Sequence, residues 1–339
     1  MLFCMNLIIC NYFICIIFKS KKLKGRYIMK AFVKSVILCA AVIFAVPAAA
    51  GGLKTDKSED IPVSVTAMPQ SHTIKLLCSA TGGITETDIE DYAVYAVLEE
   101  VPFIPDTEAL KAQVCAARTY AARRILAGES ESGAHISDDS SKYQTALTES
   151  AAMAVYGDGY DDAVSAVKAA AKATEGEIIM YGGAPAAAVF HVSSAGVTES
   201  AESVWGTDYP YLASVSSDCT EARHEFTEAE LYARISSEYP EADKFDGVNI
   251  LSATAAGTVT SAEICGIALD GGRLAEILSL ESAAFEVSDG DGRVIFTVKG
   301  SGHLVGMSIC GADGLSREGM SYRDILAHYY PGTEIEKMQ

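Results

Sequence analysis

The stretch from Asp106 to Gly128 constrains this chain more than any other. Asp106-Thr107-Glu108 opens a helix over Ala109–Ala127 and Gly128 closes it, with Leu110, Val114, Ala117, Ala121 and Ile125 at helical spacing. At about 1.5 Å per residue such a helix is roughly 30 Å long, the width of a small domain. Everything else must therefore be arranged along it. Before it, Thr87 or Asp88 caps a helix running through Tyr92–Glu100, which Pro102 and Pro105 bring to an end. After it, residues 128–160 are rich in Gly, Ser and Asp and read mostly as loop. Asp162–Thr174 is an Ala-rich helix, and Glu177–Tyr181 with Ala186–Val192 reads as a hairpin across Gly182-Gly183.

From about residue 210 the texture changes. A helical patch, Glu228–Ser237, precedes β-like runs at Gly257–Ile264, Ala284–Val287 and Val294–Val298, separated by Gly/Asp turns. The chain then returns to a Gly-rich loop and a final helix, Tyr322–Tyr329, closed by Pro331-Gly332. No internal repeat is visible. The predicted fold class is α+β: a helical core packed on mixed or antiparallel β-structure, with a β-rich insertion at about 213–299.

Charge is unevenly spread. The formal net charge is −19, yet residues 1–50 hold seven Lys and Arg and no acid, which leaves the rest at −26. A body that acidic repels polyanions, so nucleic acid is excluded as a partner. The N-terminus carries two apolar runs, Leu2–Phe18 and Val36–Val46. The second follows Lys30 and Lys34 and ends in Pro47-Ala48-Ala49-Ala50-Gly51. A basic start, a short apolar stretch and an Ala-x-Ala ending read as a signal peptide or membrane anchor over 1–50. Lys24-Gly25-Arg26 back-translates to a purine-rich ribosome-binding stretch, which places the expected true start at Met29. Residues 51–83 read as linker and lead-in strand, and the body is expected to work outside the cytoplasm. Of nine Cys, the body keeps Cys78, Cys115, Cys219, Cys265 and Cys310. This odd, scattered set gives no disulfide framework and no CxxC zinc motif.

Several stretches carry candidate chemistry. In Leu98-Glu99-Glu100-Val101-Pro102 a carboxyl at a helix C-terminus meets both desolvation and the negative end of the helix dipole. Both raise its pKa, as a general acid at neutral pH requires. The alternative is a solvated surface Glu. Arg118 in the long helix is either a buried, paired arginine supporting a site or a snorkelling surface residue. His191–Glu199, crowded with small polar side chains, together with the single Trp, Trp205, suggests a loop binding sugar hydroxyls against an aromatic platform. A Ser/His hydrolase is disfavoured there because no GxSxG elbow is present. Gly300–Ser308 is a Gly-rich loop that positions His303 and lacks the Lys of a phosphate loop. His135 with Asp138 and Asp139 is the only metal-like grouping, and it lacks a second His.

Five ordered blocks from about Ile84 to Gly332 resemble the stage II sporulation protein D family, whose relatives are described as amidase enhancers. They are Tyr92-Ala93-Val94 through Glu100-Val101-Pro102; Glu108–Gln113 with Ala116–Ala121; Val204-Trp205-Gly206 with Pro210-Tyr211-Leu212; Gly302-His303 with Val305–Ser308; and His328–Gly332. The resemblance implies that 84–339 is a catalytic domain of a lytic transglycosylase, cleaving the MurNAc–GlcNAc bond of peptide-stripped peptidoglycan strands. The product would be a 1,6-anhydro end, formed during sporulation engulfment or cell-wall remodelling. It implies Glu100 as catalytic acid, with Glu99 pointing about 100° away on the same helix. It also implies substrate contacts from Arg118, Tyr120, Gln144, Ser193, Ser194, Thr198, Trp205 and His303. A cell-wall amidase and septal membrane proteins are the implied partners.

Departures from the family pattern are visible. The family's zinc-site cysteines are replaced by Ser137 and Tyr143, so no cofactor is expected. Its Ser-Ser-Ser-Gly-Gly-Arg-Thr loop becomes Val192–Thr198, its Leu-Arg-Ser becomes Leu280-Glu281-Ser282, its Gly-His-Gly becomes Gly302-His303-Leu304, and its Ser-Gln becomes Ser308-Ile309. Two other readings stay open: a glycan-binding protein that recruits or stimulates an amidase without catalysis, and a thiol hydrolase using Cys115 and His303.

Overall fold

The long helix runs from Thr107 to Ala127 and is buried on every side rather than along one stripe. In this computed structural model Pro69 and residues 71–338 are described, except 101, 102, 131, 141 and 291. The expected signal or anchor segment and Met29 lie outside the described residues. Among those described, no helix is long and apolar enough to cross a membrane. Leu110, Val114, Ala117 and Ala121 are buried as their spacing predicts, but so are Ala112, Ala116 and Ala122 on the other faces. Alanine is small enough for neighbours to approach closely all round. The helices Ile89–Glu100, Tyr160–Ala173, Ile309–Arg317 and Tyr322–Tyr329 and the strand Glu177–Tyr181 all pack on it.

Arg118, in the middle of this helix, is fully buried. Its Nε and Nη2 donate to the two carboxylate oxygens of Glu90 at 2.8 and 2.6 Å, and Nη1 donates to the Glu177 carbonyl at 2.8 Å. Glu90 also accepts the Gly176 N–H at 3.0 Å. The next residue, Thr119, accepts the Ile179 N–H at 2.9 Å through a hydroxyl that itself donates to the Cys115 carbonyl. Two consecutive side chains thus join the long helix to the start of the Ile89–Glu100 helix and to a strand. Asp88 caps that shorter helix by accepting the Glu90 N–H at 2.8 Å.

The sheets are small. Thr73–Cys78 pairs antiparallel with Gly83–Asp88 and parallel with Ile136–Ser137. Glu177–Tyr181 pairs antiparallel with Glu334–Lys337 and turns back through only Ala184–Pro185. The predicted hairpin is therefore cut short. Phe190–His191 instead pairs parallel with Met307–Ser308, which carries the Gly-rich loop into the main core. Glu149–Tyr156 is a helix capped by Thr148, within a stretch expected to be loop, and Ile309–Arg317 is a helix capped by Ser308. In both cases the cap hydroxyl, not the apolar spacing, marks the start.

A second hydrophobic core gathers Phe226, Leu231, Ile235, Val259, Ile264, Leu274, Leu278, Phe285, Phe296 and Val298. Around it lie the sheet formed by Phe285–Gly290, Arg293–Lys299 and Glu221–Phe226 and the sheet formed by Val248–Ala253, Val259–Ile264 and Ile267–Leu269. Two helices complete it: Glu228–Glu238, which starts with a Thr227/Glu230 capping box, and Gly271–Leu278. With helices and mostly antiparallel sheets in one chain, the fold is α+β.

Removing the guanidinium would leave the Glu90 carboxylate and the Glu177 carbonyl without their common donor. Arg118→Ala is expected to lower the unfolding free energy by about 3 kcal/mol, the scale for breaking one side of a buried ion pair. Urea unfolding at neutral pH measures it; a loss below about 1 kcal/mol would place the pair in the class of weak surface bridges.

Candidate active site

Glu100 ends its helix, and the residues around it are set by a short non-helical segment, Tyr143–Leu147. The backbone of Gln144 is gripped from two helices. Tyr92 Oη donates to its carbonyl at 2.7 Å, and its N–H donates to Tyr120 Oη at 3.1 Å. Burial raises the pKa of both phenols, which keeps them protonated. Held in this way, the Gln144 side-chain amide donates to the Glu100 carboxyl. The next residue, Thr145, donates through its hydroxyl to Glu99 Oε1 at 2.7 Å. The two glutamates diverge on the helix as expected, yet consecutive residues of one segment capture both. Tyr156 Oη satisfies the Leu98 carbonyl at 3.0 Å, one of the acceptors left open at the helix end.

Burial pushes the Glu100 pKa up to about 7, the charge of Glu99 adds to the rise, and the Gln144 hydrogen bond opposes it. Glu99 is also raised by burial, against the Thr145 hydrogen bond. Two acceptor atoms here, Glu99 Oε2 and Gln144 Oε1, are buried without a partner among the described residues. A carboxyl near half protonation at neutral pH, held by an amide, is suited to donating a proton.

A second cluster forms where the Phe190–His191 and Met307–Ser308 strands meet. His303 lies 5.3 Å from the Trp205 ring and 5.8 Å from the His191 ring, and its Nδ1 accepts the Val305 N–H at 3.1 Å. Ser193 is bonded to the Thr220 hydroxyl at 2.5 Å, and Thr198 Oγ1 accepts the Val215 N–H at 2.9 Å. His191 Nδ1 meets the Val305 carbonyl at 3.1 Å, so Nδ1 carries the hydrogen and Nε2 accepts the Ser194 hydroxyl at 2.7 Å. Asp218 Oδ1 accepts from Ser308 at 2.6 Å and from the Ser194 N–H at 3.3 Å. Gly306 has φ +73°, and a Cβ there would lie 2.1 Å from the Val189 carbonyl oxygen, so only glycine fits this turn. Hydrogen bonds join the region of the second core to these loops: Thr254 donates to Glu199 at 2.5 Å, and Gly302 N–H donates to the Glu281 carbonyl at 2.9 Å.

A stage II sporulation protein family model matches residues 79–181, which contain the glutamates, the long helix and Gln144. The stage II sporulation protein D of Bacillus subtilis (strain 168) is 31% identical over 266 residues, covering 76% of this chain and 77% of the relative. That of Bacillus amyloliquefaciens is 32% identical over 260 residues, 74% of each chain. This chain belongs to the stage II sporulation protein D family. A more distant relative, the amidase enhancer of Bacillus subtilis (strain 168), is 26% identical over 294 residues, 70% of this chain and 39% of the relative.

Within this family member, the residues singled out in the sequence fall into three places. Glu100, Gln144 and Tyr120 come together at the helix end. Ser193, Ser194, Thr198, Trp205 and His303 form the second cluster, with Ser193, Ser194 and Thr198 buried in their own hydrogen bonds. Arg118 joins neither. It is withdrawn as a substrate contact because its donors are spent on Glu90 and Glu177 in the core. Sequence reasoning missed Thr145 and Tyr92 as supports of the glutamates, and Asp218 as the acceptor of Ser308. Their common signal is a hydroxyl or carboxyl whose partner is remote in the chain.

The family's Gly after His303 is Leu304 here, yet the backbone keeps the left-handed conformation at φ +63°. The strain costs roughly 1–2 kcal/mol, against the burial of a Leu side chain that is 2% exposed. The family's Arg in Leu-Arg-Ser is Glu281, which pairs with His224 at 2.8 Å. The family's zinc does not fit the residues present. The Ser137 hydroxyl accepts the Asp139 N–H, and Tyr143 lies under the Arg124 guanidinium at 4.7 Å. Among the described residues no three His, Cys, Asp or Glu gather to hold a metal. The thiol and Ser/His hydrolase readings lose support too. Cys115 is fully buried with its thiol pushed up to about 11, and Ser194 is fully buried.

A carboxyl with a folded pKa of about 7 against 4.5 unfolded favours the fold only while protonated. That stability is complete below pH 4.5 and is lost as pH rises to 7. Glu100→Gln removes the penalty, so the variant should be more stable than the wild type by on the order of 1–3 kcal/mol at pH 8 and by little at pH 4.5. Urea unfolding at the two pH values reads the gap; a gap that does not widen means that Glu100 ionises freely.

Proposed function

We propose that this protein is a lytic transglycosylase acting on peptidoglycan glycan strands, with Glu100 as its acid. The observation that carries the reading is one carboxyl at a helix end, raised to about 7 by burial and oriented by Gln144. Protonated Glu100 donates to the oxygen joining N-acetylmuramic acid to N-acetylglucosamine, and the bond from that oxygen to the muramoyl anomeric carbon breaks. The muramoyl 6-hydroxyl then attacks the same carbon and returns its proton to the Glu100 carboxylate. A 1,6-anhydro ring closes and no water is consumed. Because the nucleophile is tethered in the substrate, one carboxyl suffices where a hydrolase needs two.

Tyr92 and Tyr120 support this chemistry through the Gln144 backbone. In this reading Trp205 and His303 offer ring faces to sugar, and the Ser193–Thr198 loop shapes the wall beside them. In this reading the protein acts in sporulation, which the family's name supports. The N-terminal apolar segment would export or tether the body, and a cell-wall amidase that strips stem peptides would supply its substrate. A second reading, a glycan-binding partner that stimulates an amidase without cutting, draws on the amidase enhancer among its relatives.

The test incubates the full chain with purified peptidoglycan, intact and stripped of stem peptides, and reads products by mass spectrometry. Anhydro-muramoyl ends should form and should fall at least 100-fold in Glu100→Gln, the usual scale for removing a general acid. The rate should decline above pH 7 as Glu100 ionises, about tenfold per unit. Reducing ends would indicate hydrolysis, and binding without cleavage of either substrate would favour the stimulating partner.

A further inference from the structure

Adjacent glutamates at a helix end normally part company, one toward the protein and one toward water, because successive side chains diverge by about 100°. Here both are held. Thr145 donates to Glu99 Oε1 at 2.7 Å, and the preceding residue, Gln144, donates to Glu100. The remaining oxygens, Glu99 Oε2 and Gln144 Oε1, are buried without a donor among the described residues. An acceptor-rich, donor-poor enclosure favours a carboxyl that keeps its proton.

The other groups facing this enclosure do not offset it. On the same helix, Tyr92 is spent on the Gln144 carbonyl. From the long helix, Tyr120 accepts the Gln144 N–H. Arg124 donates to the His135 carbonyl at 3.1 and 3.0 Å and covers the Tyr143 ring. From the Glu149–Tyr156 helix, Tyr156 bonds the Leu98 carbonyl. Among the described residues neither glutamate pairs with Lys, Arg or His.

We propose that Glu99 is a positioning residue, a second carboxylate fixed by Thr145 beside Glu100 so that the acid retains its proton at neutral pH. The first proton to leave the pair comes from Glu99, which the Thr145 hydroxyl favours as the charged partner. Glu100 then ionises against that fixed charge. The proposal rests on the reading of Glu100 as the acid, and it adds what sets the pH range over which that acid works. Repulsion raises whichever carboxyl of the pair ionises second, and Glu99 contributes to the rise at Glu100.

The experiment follows the carboxyl carbon resonances of 13C-labelled Glu in the full chain as pH rises, for wild type, Glu99→Gln, Thr145→Val and Glu100→Gln, alongside the pH profile of glycan cleavage. In Glu99→Gln the Glu100 midpoint and the alkaline limb of cleavage should both fall by about one pH unit, the scale of losing one nearby like charge. Thr145→Val leaves the Glu99 carboxyl in place but less readily charged, so both should move the same way by less. An unmoved Glu100 midpoint in Glu99→Gln overturns the proposal, as does a raised midpoint that belongs to Glu99 instead. If Glu100→Gln cleaves like the wild type, the reading of the acid fails, and the titration still decides whether Glu99 controls Glu100.

Discussion

The buried guanidinium of Arg118 is the constraint on which the rest of the main body depends. A permanently charged group without access to water must have its donors met by protein, and the acceptors must come to it. They come from the first turn of the Ile89–Glu100 helix and from the residue that starts the Glu177–Tyr181 strand. The start of the shorter helix is thereby fixed against the middle of the long one. Tyr92 follows Glu90 within that same turn and grips Gln144, so the anchoring at one end of the helix is felt in how Glu100 is held at the other.

Sequence periodicity located the helices that bury apolar faces, because spacing reports burial directly. Tyr322–Tyr329 and the long helix are such cases, as is the strand Val259–Ile264. It failed where an element is defined by polar capping. Glu149–Tyr156 buries only Ala152, and Ile309–Arg317 begins inside a Gly-rich stretch that reads as loop. Glu100 was legible from its place before a proline and from the resemblance. Arg118, drawn into the site by the same resemblance, proved to belong to the core, since a matching motif does not distinguish a residue that touches substrate from one that holds the scaffold. The capture of Glu99 by Thr145 was not legible, because its two partners lie 46 positions apart.

Local rules are broken at both polar clusters. Unpaired acceptors sit at Glu99 and Gln144, and Asp218 keeps one buried oxygen without a donor while the other takes several. Leu304 holds a backbone conformation that suits glycine. Departures also occur elsewhere: Gln113 is buried in the long helix with both amide atoms unpartnered among the described residues, and Cys265 and Ser279 take left-handed backbone in the region of the second core.

The second core has a consequence for how this family member can vary. Glu221 and Lys299 face each other across paired antiparallel strands, so the chain leaves the main body and returns to it at one spot. To the main body, everything between them is equivalent to a single closed turn, whatever its length. That region is a graft point, where new surface can be added or trimmed without restretching the scaffold. Its hydrogen bonds to the site loops, Thr254 to Glu199 and Gly302 to Glu281, are a means by which such a change would reach the chemistry.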